Sequence, residues 1–410
     1  MTVSLADIHD ARERLEGVIN HTPVIADERL SKEIGARAFL KAESLQRGGS
    51  FKVRGAFNKI SRLTDEEKRR GVITASAGNH AQGVALAAKL NGIASTVVLP
   101  EYAPLTKIVA TRNYGAEVIL KGSSFDEAVA YSKELQKEKD FTYVHAFDDE
   151  LIIAGQGTTG LEIAESLPDV GLVVVPVGGG GIVSGIAIAL KNILSDVRVV
   201  GVQAENVPSV RESIAAGKPV EVHAKLTIAD GIAVKRPGEL TLPLIKEFVD
   251  EVIEVSEEEI ARGIFHCAQY SRLVVEGAGA AGLAALLAGK IKVKPDETVC
   301  AVLCGGNIDG NLLTRIIEQV LVRQGRYIIL KVLVPDRPGM LAAVLNNVAE
   351  CGANVVEVYH QRAIWLAPLG QVGIEMILEV RDEPHGREVR QHLESAGYHV
   401  ERIGQGDWEE

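Results

Sequence analysis

The sequence VVVPVGGGGIVSG, residues Val173–Gly185, places four consecutive glycines between two apolar runs. A β-branched run that stops at glycine and resumes with helical spacing is typical of a strand, a turn and a helix in a doubly wound α/β fold. Without a Cβ, Gly178, Gly179, Gly180 and Gly181 let successive backbone N–H groups close on an anion at a helix N-terminus. The stretch therefore predicts a phosphate site. A plain tight turn is the alternative, but it needs only one or two glycines.

The glycine turn departs from the dinucleotide fingerprint G-x-G-x-x-G, because Val183 or Ser184 stands where the last glycine is required. Glu205 nevertheless ends the next apolar run, at the spacing of about twenty residues where an acidic residue binds the ribose of a dinucleotide. Taken alone, the glycines and Glu205 leave a NAD-dependent oxidoreductase open as an alternative.

Eight β-branched runs alternate with longer segments of helical period around the glycine turn. Several are apolar on both faces, as in parallel strands that helices cover on each side. Eight strands exceed one comfortable open sheet, so the pattern predicts an α/β region of two lobes with a cleft between them. The predicted strands are Val72–Ala75, Ser95–Leu99, Glu117–Leu120, Thr142–His145, Leu172–Val177, Arg198–Gln203, Glu251–Val255 and Thr298–Cys304.

A polar break with a glycine, residues 323–326, follows the predicted helix Asp309–Val322 and indicates a linker between domains 1–322 and 327–405. Beyond it, the order strand, helix, strand, strand, helix, strand predicts a ferredoxin-like α+β domain. Its predicted elements are Tyr327–Val334, Pro338–Cys351, Asn354–Gln361, Gln371–Val380, Arg387–Ala396 and Tyr398–Ile403.

The composition of the 410 residues is that of a folded, water-soluble chain, with 46% hydrophobic and 24% charged residues. A net charge of −11 argues against nucleic acid and anionic membranes as partners. The first twenty residues lack the apolar core of a signal peptide, and the apolar run Gly277–Gly289 is too short to span a bilayer. The four cysteines match neither a disulfide framework nor a zinc site. We therefore expect a cytoplasmic protein.

Lys52 stands in the sequence SFKVRG, Ser50–Gly55, at the predicted start of a helix. A lysine near a helix N-terminus is electrostatically disfavoured, because the helix dipole there prefers anions and lowers the pKa of an ammonium group. A lowered pKa is what a lysine that forms a Schiff base requires. A solvated surface lysine is the alternative interpretation.

The sequence ITASAGNHAQG, residues 73–83, again runs from a strand through a turn into a helix. The Ser76 hydroxyl and the amides of Gly78, Asn79 and His80 can receive a carboxylate, and the Asn79 side chain can reach a ring oxygen. His80 could be a general base, but a lone histidine at a helix start is more often structural. We favour the structural interpretation.

Cys304 ends the last predicted strand of the α/β region and is followed by two glycines and Asn307. Ligands of open α/β sheets bind at the carboxyl ends of the strands, and a thiol there could face a ring nitrogen as a weak neutral partner. The alternative is a small buried hydrophobic residue, as most free cysteines are.

Together these motifs resemble the pyridoxal-phosphate enzymes of the tryptophan-synthase-β class, and most of all the threonine dehydratases. Each motif is weak alone, but the six occur in the family's order and span residues 5–322. They are SFKVRG (50–55), SAGNHAQG (76–83), VLPEYAPLTK (98–107), DDELIIAGQGT (148–158), GGGGI (178–182) and CGGN (304–307).

The resemblance implies the two-lobed fold type II, with a smaller lobe of about residues 46–146 inserted in the larger one, and pyridoxal 5'-phosphate as the cofactor. It implies that Lys52 is the catalytic Schiff-base lysine. The other implied cofactor contacts are Phe51 near the ring, Asn79 on the ring hydroxyl, Gly178–Gly181 on the phosphate and Cys304 on the pyridine nitrogen. The implied substrate-binding residues are Ser76, Ala77, Gly78, Asn79 and His80.

The implied reaction is β-elimination of water from L-threonine, which yields 2-oxobutanoate and ammonia, with L-serine as a second substrate that yields pyruvate. A serine dehydratase or serine racemase of the same class is the alternative. Racemases of this class resemble this chain but carry a second serine where Ala77 stands, and Ala77 has no proton to give. Racemisation is therefore disfavoured as the main activity.

Residues 325–405 resemble an ACT domain, a small unit that binds amino acids. The resemblance implies an amino-acid effector site and a homo-oligomer, a dimer or tetramer, because ACT domains commonly pair; a dimerising module without a ligand is the alternative. The candidate regulatory residues are Asp336, Pro338, Gly339, Met340 and Leu341. Some relatives use the position of Glu205 for a mono- or divalent cation, so Glu205 is also a possible metal ligand.

Overall fold

The computed structural model describes residues 3–361 and 368–403. The chain divides between Asp309 and Gly310 into two compact units, so that the helix Gly310–Arg323 belongs with the second unit. That helix packs against the strand Tyr327–Pro335. Residues 404 and 405, the last two of the predicted C-terminal domain, lie outside the described residues.

The first unit contains a six-stranded sheet in the order β1-β2-β10-β7-β8-β9. All neighbouring strands run parallel except β1 and β2, which are antiparallel. Strands β7, β8 and β10 are almost wholly buried, as expected for apolar strands covered by helices on both faces. The six strands are β1 (Val24–Ala26), β2 (Arg37–Lys41), β7 (Val170–Pro176), β8 (Arg198–Ala204), β9 (Glu251–Val255) and β10 (Thr298–Val302).

A second, four-stranded parallel sheet of this unit has the order β5-β4-β3-β6. It comes from residues between β2 and β7, so this lobe interrupts the lobe of the six-stranded sheet. The two predicted α/β sheets are therefore present. The strands are β3 (Val72–Ala75), β4 (Ser95–Leu99), β5 (Glu117–Leu120) and β6 (Thr142–Tyr143).

Two strands of the first unit, β1 and β2, were absent from the sequence prediction. β1 has only three residues, and β2 reads RAFLK with a charged residue at each end. Lys41 is fully buried in the structure because an ion pair with Glu162 compensates its charge. A strand with a buried lysine does not show the apolar pattern on which sequence prediction depends.

Thirteen α-helices surround these two sheets, and three more α-helices belong to the second unit. Those of the first unit are α1 (Leu5–Leu15), α2 (Glu28–Ile34), α3 (Lys52–Ser61), α4 (Asp65–Arg70), α5 (Asn79–Leu90), α6 (Leu105–Asn113), α7 (Phe125–Lys139), α8 (Glu150–Ser166), α9 (Gly181–Ile193), α10 (Ser209–Ala216), α11 (Thr241–Phe248), α12 (Glu257–His266) and α13 (Gly277–Leu287). Those of the second unit are α14 (Gly310–Arg323), α15 (Met340–Glu350) and α16 (Glu383–Ser395). The helix counts refer to the part of the chain that the structure describes.

The second unit contains an antiparallel sheet in the order β12-β13-β11-β14. With α15 and α16 it forms the βαββαβ sequence of a ferredoxin-like fold, as predicted. Alternate residues of β11 are buried, which is typical of a sheet with one face on the core. The strands are β11 (Tyr327–Pro335), β12 (Asn354–Gln361), β13 (Gln371–Glu379) and β14 (His399–Arg402).

Within residues 3–361 and 368–403, no helix combines the length and the apolar character that crossing a membrane would require.

Candidate active site

Lys52 is the first residue of α3 and lies beside the carboxyl end of β10. Two hydrogen bonds join the segment before Lys52 to the segment after β10: Phe51 N donates to Cys304 O over 3.2 Å, and Gly306 N donates to Gly49 O over 2.9 Å. The structure thus brings together two motifs that are about 250 residues apart in the chain, and it places Lys52 and Cys304 in one site.

The Lys52 ammonium group is held in a partly apolar environment. Its Nζ donates to Ala146 O over 3.0 Å and lies 5.0 Å from the centroid of the Phe51 ring. Burial lowers the pKa of Lys52 from 10.5 to about 8, while Cys304 and Glu276 act in the opposite direction. Lys52 is therefore deprotonated at a lower pH than an ordinary lysine, as a nucleophilic amine requires.

We expect the amine of Lys52 in the coenzyme-free chain to become reactive with a midpoint near pH 8. The reason is that burial penalises the charged form, so the pKa of Lys52 falls from 10.5 to about 8 and the free amine is populated at lower pH than usual. Competitive acylation across pH 6–11, read by peptide mass spectrometry, measures this midpoint. A midpoint near 10.5 would contradict the inferred environment.

The four glycines form the turn between β7 and α9, and Gly180 caps the helix with a positive φ of 98°. A Cβ on Gly179 would lie 2.3 Å from the ring of Phe147, so no side chain fits there. The backbone N–H groups of residues 178–182 donate no hydrogen bond to any of the described residues. Unpaired amides at a helix N-terminus are the donors that a phosphate group requires.

The segment 76–80 forms a second turn with unpaired amides, at the start of α5. Gly78 N donates to Ser76 Oγ over 3.2 Å, whereas the N–H groups of Ala77, Asn79 and His80 have no acceptor among the described residues. This leaves three donors near the positive end of a helix, an arrangement that suits a carboxylate.

His80 is buried, and its Nε2 donates to Val144 O over 2.9 Å. Burial and the nearby Lys52 lower the pKa of His80 to about 3, so its ring is neutral at physiological pH. Since its Nε2 is already engaged by a backbone carbonyl, the structure supports the structural interpretation of this histidine over that of a general base.

Cys304 lies just beyond β10 and is 3% exposed. Burial and the nearby Glu276 raise the pKa of its thiol far above neutral, so the thiol is protonated. It is a neutral group close to the amine of Lys52.

Glu276 is a further residue of this site, and the sequence analysis did not single it out. It lies directly before α13, is 5% exposed, and accepts a hydrogen bond from Asn79 Nδ2. Burial raises its pKa to about 7, with a further contribution from Asp230. In the sequence, a glutamate before a Gly/Ala-rich helix is typical of an ordinary helix start. Its burial near Lys52 is evident only from the fold.

The possible metal ligand Glu205 is exposed at the end of β8. Among the described residues, no group of three or more His, Cys, Asp or Glu side chains is arranged to hold a metal ion. A cation at Glu205 stays a prediction.

The candidate regulatory residues lie in the second unit, in the turn between β11 and α15 and in the first turn of α15. Gly339 has a positive φ of 89° and caps α15, which begins at Met340. The amides of Gly339 and Leu341 have no acceptor among residues 3–361 and 368–403. Asp336 and Pro338 precede them in the same turn.

Comparison with known proteins gives consistent matches. The model of the family described as pyridoxal-phosphate dependent enzyme matches residues 15–305. An L-threonine ammonia-lyase of Thermotoga maritima is 50% identical over 402 residues, which is 98% of this chain and 100% of the relative. Threonine deaminase isoform 2 from Solanum lycopersicum has a TM-score of 0.74 at 37% identity, covering 78% of this chain and 87% of that one. Maize serine racemase also has a TM-score of 0.74, at 34% identity, covering 79% and 99%.

The residues present fit a pyridoxal phosphate coenzyme. The unpaired amides of residues 178–182 suit its phosphate, and the Lys52 amine of lowered pKa suits its aldehyde. The family match also favours this coenzyme over the dinucleotide that the glycines alone left open. On the evidence of the family match, of the relatives and of this site, the chain belongs to the pyridoxal-phosphate dependent enzymes of fold type II.

Proposed function

We propose that this enzyme deaminates L-threonine to 2-oxobutanoate and ammonia, and L-serine to pyruvate and ammonia more slowly. The observation that carries the proposal is the Lys52 amine held beside the neutral Cys304 thiol, with two sets of unpaired amides in the same unit. Support for the substrate comes from the Thermotoga maritima L-threonine ammonia-lyase, which matches along nearly the whole chain.

The proposed coenzyme contacts follow from the groups that each element presents. The amides of Gly178–Gly181 would hold the phosphate, and Lys52 Nζ would bind the aldehyde carbon. Phe51 lies beside the Lys52 amine, and its ring is placed to pack near the coenzyme ring. Asn79 would donate to the ring oxygen, and the Cys304 thiol would face the ring nitrogen.

The bound coenzyme supplies an electron sink for the charge that develops at the substrate Cα. The amides of Ala77, Asn79 and His80 would bind the substrate carboxylate at the N-terminus of α5. Once the substrate amine has replaced Lys52 at the aldehyde carbon, the freed Lys52 Nζ, with its lowered pKa, would take the proton from Cα. Cys304 brings no negative charge to the ring nitrogen, which favours loss of the β-hydroxyl over a long-lived carbanion. The β-hydroxyl would leave as water after gaining the proton that Lys52 Nζ took from Cα. One water is taken up again when the released enamine hydrolyses to ketoacid and ammonia.

The test is a steady-state assay of the purified chain with L-threonine and with L-serine, in which ketoacid and ammonia are quantified together. Equal molar amounts of 2-oxobutanoate and ammonia from threonine are expected, with a higher kcat/KM than for serine. Absence of ketoacid from both substrates, in a chain that binds the coenzyme, would contradict the proposal.

The same assay separates deamination from racemisation, because a serine racemase is among the structural relatives. Ala77 carries no group that could deliver a proton to Cα. We therefore expect D-serine to be a minor product beside pyruvate. D-serine in excess over pyruvate would show that another residue supplies this proton.

We also propose that the second unit is an ACT domain that binds an amino-acid effector and supports homo-oligomer formation. The unpaired amides of Gly339 and Leu341, at the start of α15, would bind the effector carboxylate.

We expect a Gly339→Val variant to retain most of its basal threonine turnover but to lose its response to isoleucine or valine. A branched side chain is strained at a φ of 89° and would disturb the turn that presents these amides. Initial rates with and without each amino acid measure the response. A response equal to that of the unaltered chain would place the effector site elsewhere.

A further inference from the structure

The side chain of Asn79 can present either of two opposite groups to a ligand, an amide NH₂ donor or a carbonyl acceptor. The two are related by a half-turn of the amide, so only its neighbours decide which group faces the coenzyme. A ring oxygen that carries negative charge requires the donor, and the wrong orientation would set two acceptors against each other.

The direction of the Asn79 Oδ1 atom is set by Asn307, which is itself oriented by a backbone carbonyl. Gly48 O can only accept a hydrogen bond, and Asn307 Nδ2 donates to it over 2.8 Å. The second hydrogen of Asn307 Nδ2 is donated to Asn79 Oδ1, also over 2.8 Å. A third acceptor, Gln82 Oε1, lies farther from Asn307 Nδ2, at 3.5 Å. Because the two hydrogens of Asn307 Nδ2 go to the two nearer acceptors, this NH₂ group and the Oδ1 of Asn79 face each other.

The direction of the Asn79 NH₂ group is set by Glu276, whose Oε1 accepts a hydrogen bond from Asn79 Nδ2. The Glu276 carboxylate is held close to the backbone of Gly305, where a Cβ would lie 2.2 Å from Oε1. Glu276 N donates to Gly305 O over 3.1 Å, so the glutamate is anchored at its backbone as well. One hydrogen of Asn79 Nδ2 then has no acceptor within the described part of the chain.

We propose that Asn307 and Glu276 are positioning residues that lock the Asn79 amide with its free Nδ2 hydrogen toward the coenzyme ring oxygen. The proposal rests on the proposed function, which assigns that oxygen to Asn79. This chain of hydrogen bonds begins at the Gly48 carbonyl, which can only accept, and ends at the Glu276 carboxylate, which in its charged form also only accepts. Asn307 and Glu276 thereby influence coenzyme affinity without touching the substrate.

The test uses the full chain, stripped of coenzyme and titrated with pyridoxal phosphate in the absence of substrate. An aspartate at position 307 donates no hydrogen bond and would draw Asn79 Nδ2 toward itself. We expect Asn307→Asp to raise the coenzyme dissociation constant about ten- to hundredfold, the worth of a hydrogen bond to a charged group, and to shift the visible absorption band. Glu276→Leu, which removes the acceptor, is expected to do the same.

Two further variants separate positioning from a merely structural role. Glu276→Gln keeps an acceptor for Asn79, and we expect its dissociation constant within about threefold of the unaltered chain. Asn192→Asp is the matched control, since Asn192 Nδ2 also donates to a backbone carbonyl, Ile188 O, at an exposed position of α9. It should leave coenzyme binding and the absorption band unchanged.

The inference is overturned if folded Asn307→Asp and Glu276→Leu chains bind the coenzyme within about twofold of the unaltered chain. It is equally overturned if Glu276→Gln loses as much affinity as Glu276→Leu, because charge and not acceptor geometry would then matter. Should Asn307→Asp fail to fold, the pair of Glu276 variants decides alone. Since no substrate is present, a wrong substrate assignment leaves this test intact, whereas an unaltered chain that binds no coenzyme would refute the proposed function first.

Discussion

Replacing Lys52 by alanine is expected to lower ammonia release from threonine by at least about 10⁴-fold while the chain stays folded. The substitution removes the amine that is proposed both to bind the coenzyme aldehyde and to take the proton from Cα. Among the described residues, the Lys52 side chain makes a single hydrogen bond, to Ala146 O, so its loss costs little stability. The near-complete loss of turnover should therefore occur without a large fall in melting temperature.

Borohydride reduction of the coenzyme-loaded chain, followed by peptide mapping, tests the same assignment directly. The adduct is expected on Lys52 in the unaltered chain and is expected to be missing from the alanine variant. Lys59→Ala is the matched control, because Lys59 lies on the same helix but pairs with Asp149 near the surface. Turnover of the Lys52→Ala chain within tenfold of the control would refute the assignment.

The parts of the site that could be predicted from sequence are those built from contiguous residues. Each of the segments 50–55, 76–83 and 178–182 is a turn that runs into a helix. Glycines and other small residues in the local sequence predict such turns. The amides that such a turn exposes follow from its backbone alone. For this reason the motifs alone predict exposed amides that suit a phosphate and a carboxylate.

The parts that could not be predicted depend on partners distant in the chain. Asn79 contacts Glu276 across 197 residues and Asn307 across 228 residues. Nothing in the local sequence of Glu276 distinguishes it from a solvated helix-capping acid. Its burial arises when the start of α13 packs beside Gly305 and the start of α5, which is a property of the fold and not of any one segment.

Arg54 is a second residue whose role depends on distant partners. It lies inside the motif of Lys52, and the sequence predicted no role for it. Its guanidinium is fully buried and makes a two-pronged contact with Glu43, with Nε to Oε2 at 2.8 Å and Nη2 to Oε1 at 2.7 Å. Arg54 Nη1 also donates to Glu162 Oε1 over 2.6 Å, and Lys41 Nζ donates to Glu162 Oε2 over 2.5 Å. Two cations and two carboxylates thus balance in the interior, linking β2, α3 and α8.

Replacing Arg54 by methionine is expected to lower the free energy of unfolding by about 3–5 kcal/mol, a large part of the stability of a typical domain. Methionine fills much of the same volume but leaves Glu43 without a cation and Glu162 with Lys41 alone. The neighbouring Arg54 helps to hold the pKa of Glu162 below its ordinary value, so the variant also raises that pKa.

Urea unfolding of the Arg54→Met chain, compared with Arg62→Met on the exposed end of the same helix, measures this cost. The control should change the unfolding free energy by less than about 0.5 kcal/mol, because an exposed arginine loses little on truncation. The Arg54 variant should also recover part of its stability as the pH falls from 7 to 5, since protonation neutralises the carboxylates left unpaired. A pH-independent loss would show that lost packing, and not uncompensated buried charge, accounts for the destabilisation.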